Sequence, residues 1–207
     1  MLSTQHPSTH GLYISAGVHG DEPAPVAALI DWAEDNIALL LQAHATILPL
    51  FNPHGLSLNT RTDEVGTDLN RNFHDPSHPH IGPWKQSMNG RTFSVGLMLH
   101  EDYDAQGMYA YELSGTSGIR AETFLKASDA FIPRDHRPKI DGHISKQGVI
   151  AKRNIPRHLP GLPEAIVVYR EHAPATLTFE SPSEYSLESR VRAHKAIIDK
   201  AFREFAI

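Results

Sequence analysis

The sequence predicts an α/β fold: an open sheet with its functional groups gathered at the carboxyl edge of the strands. Two observations carry this. Short apolar runs alternate along the chain with helical apolar patterns. The polar residues with reactive potential stand at or just past the ends of those runs, where open α/β sheets bind ligands. No internal repeat, low-complexity tract or linker breaks the 207 residues, so residues 1–207 are expected to form one domain.

The elements follow in order. Residues 12–16 form a short apolar run closed by Gly17, which reads as a buried strand. Gly17 and Gly20 bracket the turn after it. Asp21 is a candidate cap for the next helix, and Pro23 and Pro25 suit its first turn, where a missing N–H costs little. Ala27, Ala28, Ile30, Trp32, Ile37, Leu40 and Leu41 carry the helical pattern onward. Residues 45–51 are the next strand, with Pro49 marking its end or an edge position. A polar loop is expected from Asn52 to Asp68, and a loop of that length in a compact domain is usually functional.

Residues 93–99 and 107–113 read as strands, the second carrying Tyr109 and Tyr111. Residues 117–130 read as a helix. Residues 133–163 are rich in Pro, Gly, His and basic side chains and read mainly as loop, with a short strand near Val149 and Ile150. A helix is expected over 164–171 and a strand over 175–179 running into Glu180. Residues 185–205 form a terminal amphipathic helix, with Leu187, Val191, Ala193, Ile197, Ile198, Ala201 and Phe205 on the packed side.

Composition narrows the function. The net charge is −5 with His neutral, and no Lys/Arg-rich block occurs, which argues against nucleic acid or an acidic membrane surface as partner. No apolar run reaches the length of a membrane span, and the first ten residues hold no apolar core of a signal peptide; a cytoplasmic location is the default expectation. Cysteine is absent, so any bound metal must use His and carboxylates. Histidine is abundant, with 14 residues, and His74, His78 and His80 fall in a Pro-rich stretch expected to be a solvated loop open to stray metal.

The segment Ser15-Ala-Gly-Val-His19-Gly-Asp-Glu22-Pro sets an imidazole and a carboxylate three residues apart at a strand-to-helix junction. Alone, the pair is more simply a helix-start His and a dipole-favoured Glu. Together they can bind one ion from a single turn, with a third ligand from another strand. His100 ends an apolar run and is followed by Glu101 and Asp102, a suitable place for it. Two His and one Glu with an open fourth position is a hydrolytic zinc arrangement, in which the pKa of bound water falls to roughly 7.

Asp68-Leu-Asn70-Arg71-Asn-Phe73 supplies the second element. An Arg binds a carboxylate through two parallel N–H bonds, and Asn70 can add a donor. Asp68 could face inward and orient the ring of His19. The bland alternative is a polar turn with a surface Arg. Glu180, at the end of its strand, suits a general base, or simply caps the turn after it. Arg61 could stabilise an oxyanion, or be an exposed loop arginine.

In combination these motifs resemble the zinc metallocarboxypeptidases related to carboxypeptidase A, and their deacylase cousins of the succinylglutamate desuccinylase and aspartoacylase group. The similarity runs from about Leu12 to the last helix. The resemblance implies an α/β/α sandwich around a mixed, largely parallel sheet. It implies one Zn²⁺ per chain on His19, Glu22 and His100, Glu180 as general base, and Arg61 polarising the carbonyl. Arg71, with Asn70 beside it, would bind the substrate carboxylate. Relatives carry more chain before H-x-x-E, so an edge strand is expected to be missing. The connection between Phe73 and Phe93 is short, so a helix there is expected to be lost or reduced. Tyr169 is a candidate for the family's mobile tyrosine, without its role being carried over.

The leading expectation is therefore a metallocarboxypeptidase cutting a C-terminal peptide bond. The alternatives are an N-acyl amino acid deacylase, which needs the same metal and Arg, and a non-catalytic carboxylate-binding module. Only a single helix's length follows Glu180, which favours the peptidase over deacylases with a sizeable C-terminal domain. The substrate is expected to be a peptide or N-acyl amino acid with a free carboxylate. Its side-chain pocket is expected from residues 133–163, where Arg153, Arg157 and His158 hint at acidic groups.

Overall fold

The computed structural model describes residues 2–3, 11–152, 154–155, 159 and 161–206. Its strands are β1 (Leu2–Ser3), β2 (Leu12–Ala16), β3 (Ala45–Leu48), β4 (Val95–Asp102), β5 (Tyr109–Leu113), β6 (Lys139–Ile140), β7 (His143–Ile144), β8 (Val149–Ala151) and β9 (Thr176–Pro182). Its helices are α1 (Pro23–Asp35), α2 (Ile37–Leu40), α3 (Pro53–Leu58), α4 (Ile81–Met88), α5 (Ala121–Ser128), α6 (Glu164–Glu171) and α7 (Leu187–Phe205). Seven strands form one mixed sheet in the order β1-β3-β2-β4-β9-β5-β8, and β6 and β7 pair as a small hairpin. The central strands β3, β2, β4 and β9 run parallel. β1 and β5 pair antiparallel to their inner neighbours, and β8 runs parallel to β5.

Helices cover both faces, as the pleat requires. Leu12, Ile14, Leu97, Leu99, Leu177 and Phe179 point to one side and pack with Leu29 and Trp32 of α1, Phe124 of α5, and Ile197 and Phe202 of α7. Tyr13 and Met98, on the intervening positions, pack with Trp84 and Met88 of α4 and Val167 and Val168 of α6 on the other. The result is a three-layer α/β/α sandwich with a mixed, largely parallel sheet, as the sequence suggested. Among the described residues no helix is long and apolar enough to cross a membrane.

The connections place the site. From β2 the chain passes through α1 to β3, then crosses through α3 and α4 to β4 on the far side of β2. β2 and β4 therefore flank the point where strand order reverses, and a crevice opens beyond their carboxyl ends. The turn after β2 fits there only because Gly17 and Gly20 lack side chains. Gly17 has φ +67, and a Cβ on Gly20 would lie 1.9 Å from the backbone carbon of Gly55 in α3. Gly20→Ala is expected to destabilise the fold by at least about 3 kcal/mol, because the clash is with backbone, read as a lowered urea midpoint.

Several expectations need correction. Asp21 does not cap α1. The helix begins at Pro23 with Glu22 in the N-cap position and no side-chain cap bond. The amide of Ala24 is met instead by Glu101 Oε1, 2.6 Å away on β4. The polar segment after Asn52 is not all loop. It opens with α3, capped by the Asn52 side chain, which accepts from the Gly55 amide. The helix in the connection between Phe73 and Phe93 is not lost: α4, of eight residues, occupies it. An edge strand is present, although β1 has only two residues. Glu180 lies within β9, not past its end. Leu187, expected on the packed side of α7, is 48% exposed, while His194, left out of that face, is fully buried.

Candidate metal centre and cleft

His19 sits in the turn after β2, Glu22 at the start of α1, and His100 inside β4. The fold brings all three together. His19 Nδ1 lies 2.5 Å from Glu22 Oε1, and His100 Nδ1 lies 2.9 Å from Glu22 Oε2. The three ligand atoms lie within 4.8 Å of one another, and the three residues are buried. A Glu carboxylate and two ring nitrogens thus converge on a common point at a rigid strand-end junction.

The charges at this point reinforce one another. Burial raises the Glu22 carboxyl, but the His100 and His19 imidazoles outweigh it and hold it at about 2. Burial lowers both imidazoles, and Glu22 outweighs it and raises them. A site that holds protons on two rings around one carboxylate is equally suited to a divalent cation. Glu22 Oε2 is buried without a hydrogen bond, and this N₂O donor set fits zinc.

Asp68 stands behind His19. Its Oδ1 lies 3.4 Å from His19 Nε2, the ring nitrogen turned away from Glu22. Its Oδ2 accepts from Arg61 Nε at 2.9 Å. Burial raises the Asp68 carboxyl, and the His19 ring and the Arg61 guanidinium together bring it well below the usual range. Arg61 Nη1 reaches 3.3 Å from His19 Nδ1 and 4.0 Å from Glu22 Oε1, so this arginine, although 42% exposed, lies beside the candidate metal centre.

Asn70 and Arg71 belong to a 3₁₀ turn, Leu69–Arg71, anchored by the buried Leu69. The Asn70 side-chain oxygen accepts from the Glu164 amide at 3.0 Å, which fixes the side-chain amide with its donor half unspent. Arg71 Nη1 donates to the Asn70 carbonyl at 3.0 Å, and both residues line the cleft.

That cleft has a volume of about 1070 Å³ and contains His19, Glu22, His100, Glu180, Arg61 and Arg71 in its lining. Its floor is the sheet face carrying Met98, Thr178 and Glu180. Glu180 is registered directly opposite His100 on one side and Tyr109 on the other. Burial pushes its carboxyl up to about 8, opposed by His100 and assisted by Glu22.

Sequence reasoning missed several cleft residues. Tyr109 and Tyr111 face the same floor, two apart on β5, and period-two alternation could have shown that they share a side. Tyr109 donates to Asp102 Oδ2 at 2.9 Å, and Tyr111 donates to Asp141 at the tip of the β6–β7 hairpin. Glu164, Tyr13, Ser15 and Trp84 form a buried polar chain beneath α6 that no local pattern announced: Tyr13 and Ser15 donate to Glu164, and Trp84 Nε1 donates to Tyr13 at 2.8 Å. Tyr169, on α6, is not among the cleft-lining residues. Arg153, Arg157 and His158 lie outside the described residues. The His74–His80 stretch is largely solvent-exposed, as expected; His78 lies 2.9 Å from the buried Asp63, and His80, 3.2 Å from Glu64, joins Asp63 and Glu64 in a second group that could hold a metal.

Comparison with known proteins bears on this geometry. Residues 8–93 match the succinylglutamate desuccinylase/aspartoacylase catalytic domain. That span holds His19, Glu22, Arg61, Asp68, Asn70 and Arg71, while His100 and Glu180 lie beyond it. No curated protein matches the chain significantly by sequence. Solved structures share the fold. A candidate metallopeptidase from Shewanella amazonensis is 20% identical with a TM-score of 0.80, over 99% of this chain and 81% of that one. A second, from Shewanella denitrificans, is 22% identical with a TM-score of 0.78, over 94% and 74%. The mDAP-bound form of Helicobacter pylori Csd4, a D,L-carboxypeptidase, is 18% identical with a TM-score of 0.66, over 99% of this chain and 54% of that one. The domain match is confined to residues 8–93, the solved structures share the fold, and the His/Glu/His cluster fits a metal site.

Proposed function

We propose that the chain is a zinc-dependent metallocarboxypeptidase that hydrolyses a C-terminal peptide bond. One observation carries the reading: His19, Glu22 and His100 converge at the wall of the same cleft whose floor carries Glu180 and whose rim carries Arg71. His19, Glu22 and His100 would hold zinc, which would supply Lewis acidity toward a carbonyl and lower the pKa of water. The protein's own residues do the rest. Arg71 takes the terminal carboxylate through two parallel N–H bonds, with the Asn70 amide as a further donor. That contact sets which peptide bond lies over Glu180. Arg61, aimed by Asp68, faces the carbonyl oxygen as negative charge develops on it. Glu180 accepts a proton from water and returns it to the departing amine. Asp68 holds the His19 ring from behind, so that Nδ1 stays directed at the metal position.

A second reading, deacylation of an N-acyl amino acid, is favoured by the desuccinylase/aspartoacylase match over residues 8–93. It uses the same residues, with the amide bond on the acyl side of a single amino acid. A binding module without chemistry has no use for a carboxylate such as Glu180 placed beside His100.

The deciding experiment is metal analysis of purified protein, followed by assay on C-terminally diverse peptides and N-acyl amino acids. A stoichiometric zinc ion with turnover of peptides supports the peptidase, and turnover confined to N-acyl amino acids transfers the case to the deacylase. Absence of zinc overturns both. Arg71→Met is expected to raise KM at least tenfold for substrates with a free carboxylate, and to leave KM for their carboxamides unchanged. An equal effect on both would remove Arg71 from carboxylate binding.

A further inference from the structure

Behind the metal centre, on the opposite face of the sheet, lies a buried polar group that the reaction does not use. Glu101 follows His100 on β4 and borders the cleft, but its carboxylate is turned toward α1 and α7, where it bonds Ala24 and Arg190. Its side chain is 1% exposed. Oε1 accepts from the Ala24 amide at 2.6 Å, and Oε2 is paired with Arg190 in the first turn of α7. Arg190 is itself fixed, since its Nε donates to the Tyr185 carbonyl at 2.9 Å. Across from Glu101, Ser181 of β9 receives His194 of α7, with His194 Nε2 3.0 Å from Ser181 Oγ.

The geometry points to Glu101 as a positioning residue that sets the spacing between Glu22 and His100. This inference rests on the metal-site reading above. Ala24 is two residues from Glu22, and Glu101 is the neighbour of His100. One carboxylate therefore ties the start of α1, which carries the Glu ligand, to the strand that carries the His ligand. α1 has no side-chain cap of its own, and this bond meets one of the free amides of its first turn. The helix N-terminus also favours a negative group at this point. Arg190 keeps the buried carboxylate charged and correctly turned, a role a buried acid requires. A shift of a few tenths of an ångström in α1 moves the Glu22 oxygens relative to the His100 ring, which is held by β4, and metal affinity responds to such displacement.

The test measures zinc affinity by chelator competition on folded protein, checked by near-UV circular dichroism. Glu101→Ala is expected to weaken zinc binding by about 10–100-fold, the range typical of groups that orient ligands. The double variant E101Q/R190M keeps the acceptor for Ala24 and removes the buried charge with its partner. It is expected to bind zinc within about threefold of wild type. If Glu101→Ala does not fold, E101S/R190M takes its place, since its side chain is too short to reach the Ala24 amide and no unpaired charge is left. Zinc affinity within about threefold of wild type in Glu101→Ala or E101S/R190M overturns the proposal, as does a double variant E101Q/R190M as weak as Glu101→Ala. A purely structural role lowers the melting temperature of all these variants alike, without separating their zinc affinities. Failure of the wild type to bind zinc overturns the function itself, a distinguishable result.

Discussion

Glu180→Gln is expected to lower kcat by about 10²–10⁴ while leaving zinc content at the wild-type level. The argument begins with register. β9 pairs with β4 so that Glu180 stands opposite His100, one strand away from the ligand set and not part of it. Gln preserves volume and hydrogen bonding but cannot take a proton. Affinity for metal and for the substrate carboxylate, held by Arg71, is therefore expected to survive. The pH dependence follows with a definite sign. A base acts only when deprotonated, and burial pushes Glu180 up to about 8 in the absence of a cation. A dication nearby stabilises the carboxylate and moves that value down. The kcat/KM profile should consequently rise with pH through an acid limb that belongs to Glu180, and the residual activity of Glu180→Gln should lack that limb. A Gln variant as active as wild type, or one that loses its zinc, would reassign Glu180.

The legibility of these groups differed for physical reasons. His19 and Glu22 were readable because their spacing is local, three residues across one turn that two glycines and a proline mark out. His100 was readable because an apolar run ends just before it, at Leu99. The layers were readable because short apolar runs alternate with helical apolar patterns, and a strand buried on both faces leaves just such a run, as β2 and β4 do. The failures share another cause. The partner that fixes the start of α1 is Glu101, 77 residues away, and the partner of the first amide of α5 is Glu112. Neither leaves a local capping signature, so Asp21 was the natural but incorrect choice. α3 has only six residues and opens with Asn-Pro-His-Gly, which reads equally well as a turn. His194 was passed over because it is polar on an apolar helix face. It is buried because it reaches Ser181 on β9, and burial lowers its ring to about 3, keeping it neutral there.

His100→Ala is expected to abolish stoichiometric zinc binding and, separately, to destabilise the metal-free protein by about 3 kcal/mol at pH 6. The second effect arises from Glu22. Its carboxyl is buried and held at about 2, against an ordinary value of 4.5, by His100 and His19. A depressed carboxyl contributes stability above pH 4.5 that is lost as the pH falls towards 2. The two imidazoles, ordinarily near 6.5, are raised, so their share is present below 6.5 and lost as the pH rises through their folded values. The metal-free cluster is therefore most stabilising between about pH 4.5 and 6.5, while zinc, which must displace the ring protons, binds better above that window. Removing His100 leaves the carboxylate with half of its compensation. The double variant E22Q/H100A removes the stranded charge as well. It should recover most of the lost stability in chelator-treated melts at pH 6, yet regain no zinc. Should H100A alone melt like the wild type under those conditions, the imidazoles are not what keeps Glu22 ionised. If E22Q/H100A instead recovers zinc, His100 is not a ligand, and the metal centre must be rebuilt around other donors.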